Sequence, residues 1–189
     1  MLPNQQTDYF LKSSNKIQLI TLVGMMGAGK SKFGHMVAKS LNFNFYDSDN
    51  LIEKKFNTSI KEIFESHGEP YFRRIEKERI KILVNRAIEI NEKAIISLGG
   101  GAFDNQYTRD LLLKKTKVIW LNVPIDTLIK RVGVGTKRPM IKGNIKKSIS
   151  EILNKRVKYY SQSHYELNTC NLSQDLIQKR IIEIVSSKN

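Results

Sequence analysis

The sequence predicts an α/β fold, a parallel sheet covered by helices on both faces, and three observations predict it. Continuous apolar runs rich in β-branched residues, at 17–23, 94–98 and 118–122, read as strands buried on both sides. Stretches with apolar residues at helical spacing alternate with these runs, and alternation of strand and helix favours parallel pairing. The first run also leads straight into Gly24-Met25-Met26-Gly27-Ala28-Gly29-Lys30-Ser31, after which Phe33, Val37 and Leu41 lie on one helical stripe.

That strand, glycine loop and helix fit the phosphate-binding pattern G-x-x-x-x-G-K-[ST] in its required context. The glycines let several backbone N–H groups turn towards one anion, and the helix N-terminus adds partial positive charge at the same point. Lys30 is placed to reach the β- and γ-phosphates of a nucleotide, and Ser31 to hold Mg²⁺.

Residues 44–46 read as a short second strand ending at Asp47-Ser48-Asp49. In an extended segment side chains at i and i+2 share a face, so both carboxylates are expected in one crevice beside the phosphates. Asp47 then serves the magnesium shell and Asp49 a substrate hydroxyl; an Asx turn or helix N-cap is the other reading. Ser59-Ile60-Lys61-Glu62 has the form of a capping box, and His67-Gly68 stops the helix it opens. Pro70 suits the first turn of a long helix carrying Ile80, Leu83, Val84, Ala87 and Ile88 on one face. Near its start, Arg73 and Arg74 project on different sides. One is placed to fork a carboxylate, unless both are solvated against Glu69 or Glu76.

The third strand ends in Gly99-Gly100-Gly101, where many P-loop proteins carry a magnesium-binding Asp. Its absence moves the acidic metal role towards Asp47. The triplet is either a tight turn or a place where substrate lies against bare backbone, and its entropic cost favours close approach. Residues 105–115 read as a helix, 118–122 as the fourth strand, and Asp126 as the cap of a helix reaching Arg131. A glycine-rich, basic stretch follows, with a lid expected at about 133–145. Within it Arg138 is either an exposed loop arginine or one that leans over the transferring phosphate. A helix at 146–161 carries Arg156, residues 165–168 form a possible fifth strand, and Ile177, Ile181, Ile184 and Val185 mark a closing helix.

A length of 189 residues suits one domain with a proper core. Residues 16–189 are read as that domain and the polar residues 1–15 as a flexible extension, without the apolar segment of a signal peptide. No run of about 18 apolar residues is present, so no membrane partner is expected. The single cysteine, Cys170, makes no internal disulfide, and no Cys/His set has zinc spacing; a cytoplasmic monomer is expected. The net charge of +14 raises nucleic acid as a partner. Yet the basic residues are mixed with acids, as in Glu53-Lys54-Lys55 and Glu76-Lys77-Glu78-Arg79, and form no stripe with aromatics. No nucleic-acid partner is expected; a positive field attracts anionic substrates in any case.

From about residue 16 onward these motifs resemble the shikimate kinase family, P-loop relatives of the nucleoside monophosphate kinases. The resemblance rests on residues 26–31, Asp47-x-Asp49, Phe72-Arg73-Arg74-x-Glu76, the glycine triplet, Arg131 followed by Arg138-Pro139, and Lys155-Arg156-x-x-x-Tyr160. It implies a P-loop three-layer sandwich with a five-stranded parallel sheet in the order 2-3-1-4-5. It also implies transfer of the ATP γ-phosphoryl group to the 3-hydroxyl of shikimate on the route to chorismate. By that resemblance Gly27, Ala28, Gly29, Lys30, Ser31 and Lys32 cradle ATP, while Arg131 and Arg138 attend the nucleotide. Ser31, with Asp47 through water, serves Mg²⁺. Asp49 contacts the acceptor hydroxyl, Arg73 and Arg156 grip the shikimate carboxylate, and Gly100, between Gly99 and Gly101, lies against the ring. Lys30 and Arg138 stabilise charge during transfer. Two features depart from the family pattern: Lys32 stands where Thr is usual, and residues 168–173 lack the usual proline of the adenine loop. His35, His67 and His164 match no catalytic role. The alternatives are a kinase of another small hydroxy acid, such as gluconate, and a non-catalytic P-loop binding protein.

Overall fold

The structure is a computed structural model that describes residues 19–133 and 144–187. The expected extension at 1–15, most of the expected lid and Arg138 lie outside the described residues. Among the described residues no helix is long and apolar enough to cross a membrane.

Five parallel strands form one sheet in the order β2-β3-β1-β4-β5. They are β1 (Leu19–Val23), β2 (Asn44–Asp47), β3 (Ala94–Ser97), β4 (Lys117–Asn122) and β5 (Tyr165–Asn168). β1 is central and buried throughout, as is its neighbour β3; it pairs Leu19 with Ala94 on one side and Ile20 with Lys117 on the other. The edge strands β2 and β5 are half exposed, as strands with one neighbour are. At the start of β5 the His164 Nδ1 accepts the Val118 N–H at 3.0 Å, so a side chain completes the ladder.

The helices are α1 (Lys30–Leu41), α2 (Ser48–Phe56), α3 (Ile60–Glu89), α4 (Gln106–Lys115), α5 (Ile125–Gly133), α6 (Ile145–Tyr160) and α7 (Gln174–Ser186). Their apolar stripes close on the sheet around Leu22, Val37, Ile80, Val84, Leu112, Ile149 and Ile181, all buried. A smaller cluster of Ile52, Ile63 and Phe72 packs α2 against α3.

Local chemistry explains the boundaries. The capping box at Ser59 and Glu62 is formed in both directions. Gly68, at φ 77 and ψ 170, breaks α3 into two helical arms, with Pro70 in the first turn of the second. Ile88, expected on the core face of that arm, is instead exposed near its end. Asp126 is in the first turn of α5 rather than capping it, where its charge still meets the positive end of the helix.

The acidic pair needs a larger correction. The chain leaves the extended conformation at Ser48, so Asp47 and Asp49 do not share a strand face. Asp47 is the N-cap of α2, its Oδ1 accepting the Asp49 and Asn50 N–H groups at 3.0 and 3.3 Å, and Asp49 sits in the first turn. The capping demand of a helix start ends the strand before the second aspartate.

Candidate active site

The glycine loop at the carboxyl end of β1 curls through Gly27 (φ 79) and Gly29 (φ 91), conformations that a side chain disfavours. Gly29 caps α1 without a side-chain hydrogen bond, the kind of helix start that suits an anion. Lys30 is buried, its Nζ donating to the carbonyls of Gly24 and Met25 at 2.9 Å each. From α5, Arg131 Nη1 donates to the Gly27 carbonyl at 3.1 Å, which ties that helix to the loop. Lys32 turns outward: its Nζ donates to Gln174 Oε1 of α7 at 2.5 Å.

Beside the loop, Ser31 Oγ donates to Asp47 Oδ2 at 2.6 Å and lies 3.3 Å from Ser97 Oγ at the end of β3. One carboxylate thus does two things: Oδ1 caps α2 while Oδ2 faces the P-loop serine. The neighbouring Ser48 Oγ accepts the Gly99 N–H at 2.8 Å, fixing α2 to the glycine triplet. Asp49 is therefore held against Gly99, where any Cβ would collide with its carboxylate.

Ser31, Asp47, Asp49, Arg73, Gly99, Gly100, Gly101 and Arg156 all line one cavity of about 590 Å³. Two guanidinium groups converge at Gly101. A Cβ placed on Gly101 would stand 2.5 Å from Arg73 Nη2 and 2.6 Å from Arg156 Nη2. Arg73 Nη1 donates to Glu76 Oε2 at 2.7 Å, while its Nε and Nη2 donate to Glu69 Oε1 at 3.1 Å each. Burial pushes the Glu76 carboxyl up to about 7, outweighing the pull of Arg73, and Asp49 adds to the rise. Arg156 Nε donates to Asp104 Oδ2 at 2.9 Å. Tyr160, one turn along α6, donates its hydroxyl to the Gly100 carbonyl at 2.5 Å; burial raises its pKa, so it remains a phenol.

Glu76 lines the cavity, and Asp104 and Tyr160 bond residues that line it, though the sequence singles out none of the three as a site residue. Glu76 is visible in the sequence as a possible partner for an arginine and as the last residue of Phe72-Arg73-Arg74-x-Glu76, with no role of its own. Tyr160 had a signal, the i, i+4 spacing from Arg156 that puts both on one helix face. Asp104 had none, since it belongs to a single 3₁₀ turn, Ala102–Asp104, that follows the triplet.

Phosphate-type backbone on one side of a cavity and paired guanidinium groups on the other place the molecule among P-loop kinases. A sequence model of the shikimate kinase family matches residues 26–186. The chain is 36% identical over 163 residues to the shikimate kinase of Sulfurihydrogenibium sp., across 86% of this chain and 95% of that relative. It is 40% identical over 152 residues to that of Zymomonas mobilis, across 80% and 84%. Shikimate kinase from Acinetobacter baumannii, solved in complex with shikimate, superposes with a TM-score of 0.82 at 32% identity, over 91% of this chain and 95% of that one. Deoxyadenosine kinase from M. mycoides, with bound dATP, shares the fold at a TM-score of 0.60 and 16% identity, over 90% and 100%. The chain belongs to the shikimate kinase family.

Proposed function

We infer that this chain transfers the γ-phosphoryl group of ATP to the 3-hydroxyl of shikimate, giving shikimate 3-phosphate and ADP. The observation that carries the reading is the shared cavity, which Ser31, Asp47, Asp49, Arg73, the three glycines and Arg156 all line. A small acid lying across it meets guanidinium forks with its carboxylate and Asp49 with a hydroxyl.

Phosphoryl transfer asks mainly for positioning and for positive charge around the moving group. On this reading the backbone of residues 27–32 holds the phosphates, Lys32 contributing its N–H while its ammonium stays on Gln174. Lys30, whose ammonium bonds the Gly24 and Met25 carbonyls of the same loop, supplies charge at the transferring phosphate. Asp49 orients the acceptor hydroxyl and takes its proton; Arg131, beside Gly27, attends the nucleotide, and Arg138 is assigned the same neighbourhood from sequence alone. Ser31 Oγ and Asp47 Oδ2 are hard oxygen donors side by side, the kind that suits Mg²⁺ when phosphates and water complete its shell. Held there, it would supply positive charge against the phosphate oxygens.

The test is ADP release from Mg-ATP with shikimate, quinate, gluconate and nucleoside monophosphates in turn. Shikimate is expected to drive release. Turnover of gluconate or a nucleotide with none on shikimate would replace the reading with another kinase, and release with no acceptor at all would leave it without support.

A further inference from the structure

A guanidinium can grip a carboxylate by its Nη1–Nη2 end or by its Nε–Nη2 side. What binds one edge decides which edge is offered. Arg156 comes from α6 with its side chain 5% exposed, and its Nε edge is taken by Asp104 Oδ2 at 2.9 Å. Nη1 is left 3.6 Å from the point where a Cβ on Gly100 would stand, and Nη2 2.6 Å from that point on Gly101. The Nη pair is thus aimed along the glycines, towards the converging Arg73.

Asp104 is itself held in place. Its N–H donates to the Gly101 carbonyl at 3.1 Å, closing the 3₁₀ turn. Arg109 Nη1 donates to the carbonyls of Phe103 and Asp104 at 3.0 and 3.2 Å, and Arg109 Nε to Gln162 Oε1 at 2.9 Å. The second carboxylate oxygen, Oδ1, is buried without a hydrogen-bond partner. An unmet buried acceptor is a standing cost that a loop aspartate avoids by turning to water. The carboxylate keeps this position with Oδ2 on Arg156, and the charges of Arg73 and Arg109 also favour it there.

Two effects of Asp104 on an anionic acceptor oppose each other. Its charge repels a carboxylate, and its grip on Nε aligns the groups that receive one. Repulsion acts at the far edge of Arg156, across a positive guanidinium with Arg73 beside it, and is screened by both. Misalignment acts on the contact itself, whose strength comes from the fork geometry of the charged pair. We propose that Asp104 is a positioning residue of the acceptor site, clamping the Nε edge of Arg156 so that its two Nη groups meet the substrate carboxylate. The proposal rests on the shikimate reading above.

Steady-state kinetics on Asp104→Ala and Asp104→Asn test it, with melting temperature as a control. Asparagine keeps an oxygen for Nε and drops the charge. Alanine is expected to raise the shikimate KM about tenfold or more, with kcat and the ATP KM within about twofold, and asparagine to recover most of the loss. Unchanged shikimate KM in both variants overturns the proposal. So does a fall in KM in both, which would make repulsion the larger effect, or a joint loss of kcat, both KM values and melting temperature, which would make the role merely structural. Asp104→Ser, too short to reach Nε, repeats the comparison if the alanine variant does not fold. Absence of wild-type ADP release on shikimate would overturn the functional reading itself; wild-type activity with unaltered variants would overturn this inference alone.

Discussion

A carboxylate 2% exposed, like Glu76, is costly to ionise even with a guanidinium 2.7 Å away. Its folded value of about 7 stands above the ordinary 4.5, and the direction follows from burial first. Linkage then fixes the sign. Between those two values the folded chain keeps a proton that the unfolded chain has released, so unfolding becomes easier as pH rises. The contribution of Glu76 to stability is full below 4.5 and is lost as pH climbs through about 7. Glu76→Gln, neutral at every pH, removes that slope. Urea unfolding from about pH 5 to 8 should show the wild type losing stability relative to the variant; parallel curves would mean that Glu76 is ionised in the folded chain throughout.

At the scale of elements, the glycine triplet after β3 lines one cavity with residues of α3 and α6. Gly101 has φ −103, a conformation alanine accepts, so Gly101→Ala tests space and not backbone strain. Its Cβ would meet the ends of Arg73 and Arg156. Those side-chain ends can swing aside, so stability should fall by no more than about 1 kcal/mol. They are also the groups assigned to the acceptor carboxylate, so the shikimate KM should rise about tenfold or more with the ATP KM unchanged. Equal changes in both constants, measured alongside melting temperature, would detach the triplet from the acceptor site. What was legible in the sequence follows the range of the interactions. Buried parallel strands announce themselves as apolar runs, and the capping box at Ser59 and Glu62 spans four neighbouring residues. Asp49 reaches the expected crevice beside Asp47, but from the first turn of α2 and not from a strand face, because a cap and a strand end compete over the same three residues and the cap wins. The Arg156–Asp104 contact spans 52 residues and the Lys32–Gln174 contact 142, distances over which periodicity says nothing.

Over the whole molecule the charge is +14, from 32 basic and 18 acidic residues, yet both ligands assigned to the cavity are anions. A positive field concentrates anions near the surface before any contact forms. Salt shortens its reach to about 10 Å at 0.1 M. If that field draws substrates in, kcat/KM for both should fall as salt rises from about 20 to about 300 mM, while kcat, set after binding, stays level. Mg-ATP carries more negative charge than shikimate, so its slope should be the steeper. Contacts buried inside the cavity are screened far less, and so salt separates approach from grip. A flat response for both substrates would mean that the excess charge sits on solvated faces away from the cavity, as the interspersed acids in Glu53-Lys54-Lys55 and Glu76-Lys77-Glu78-Arg79 allow. Steep salt-dependent RNA binding without ATP turnover would instead give those charges a different partner.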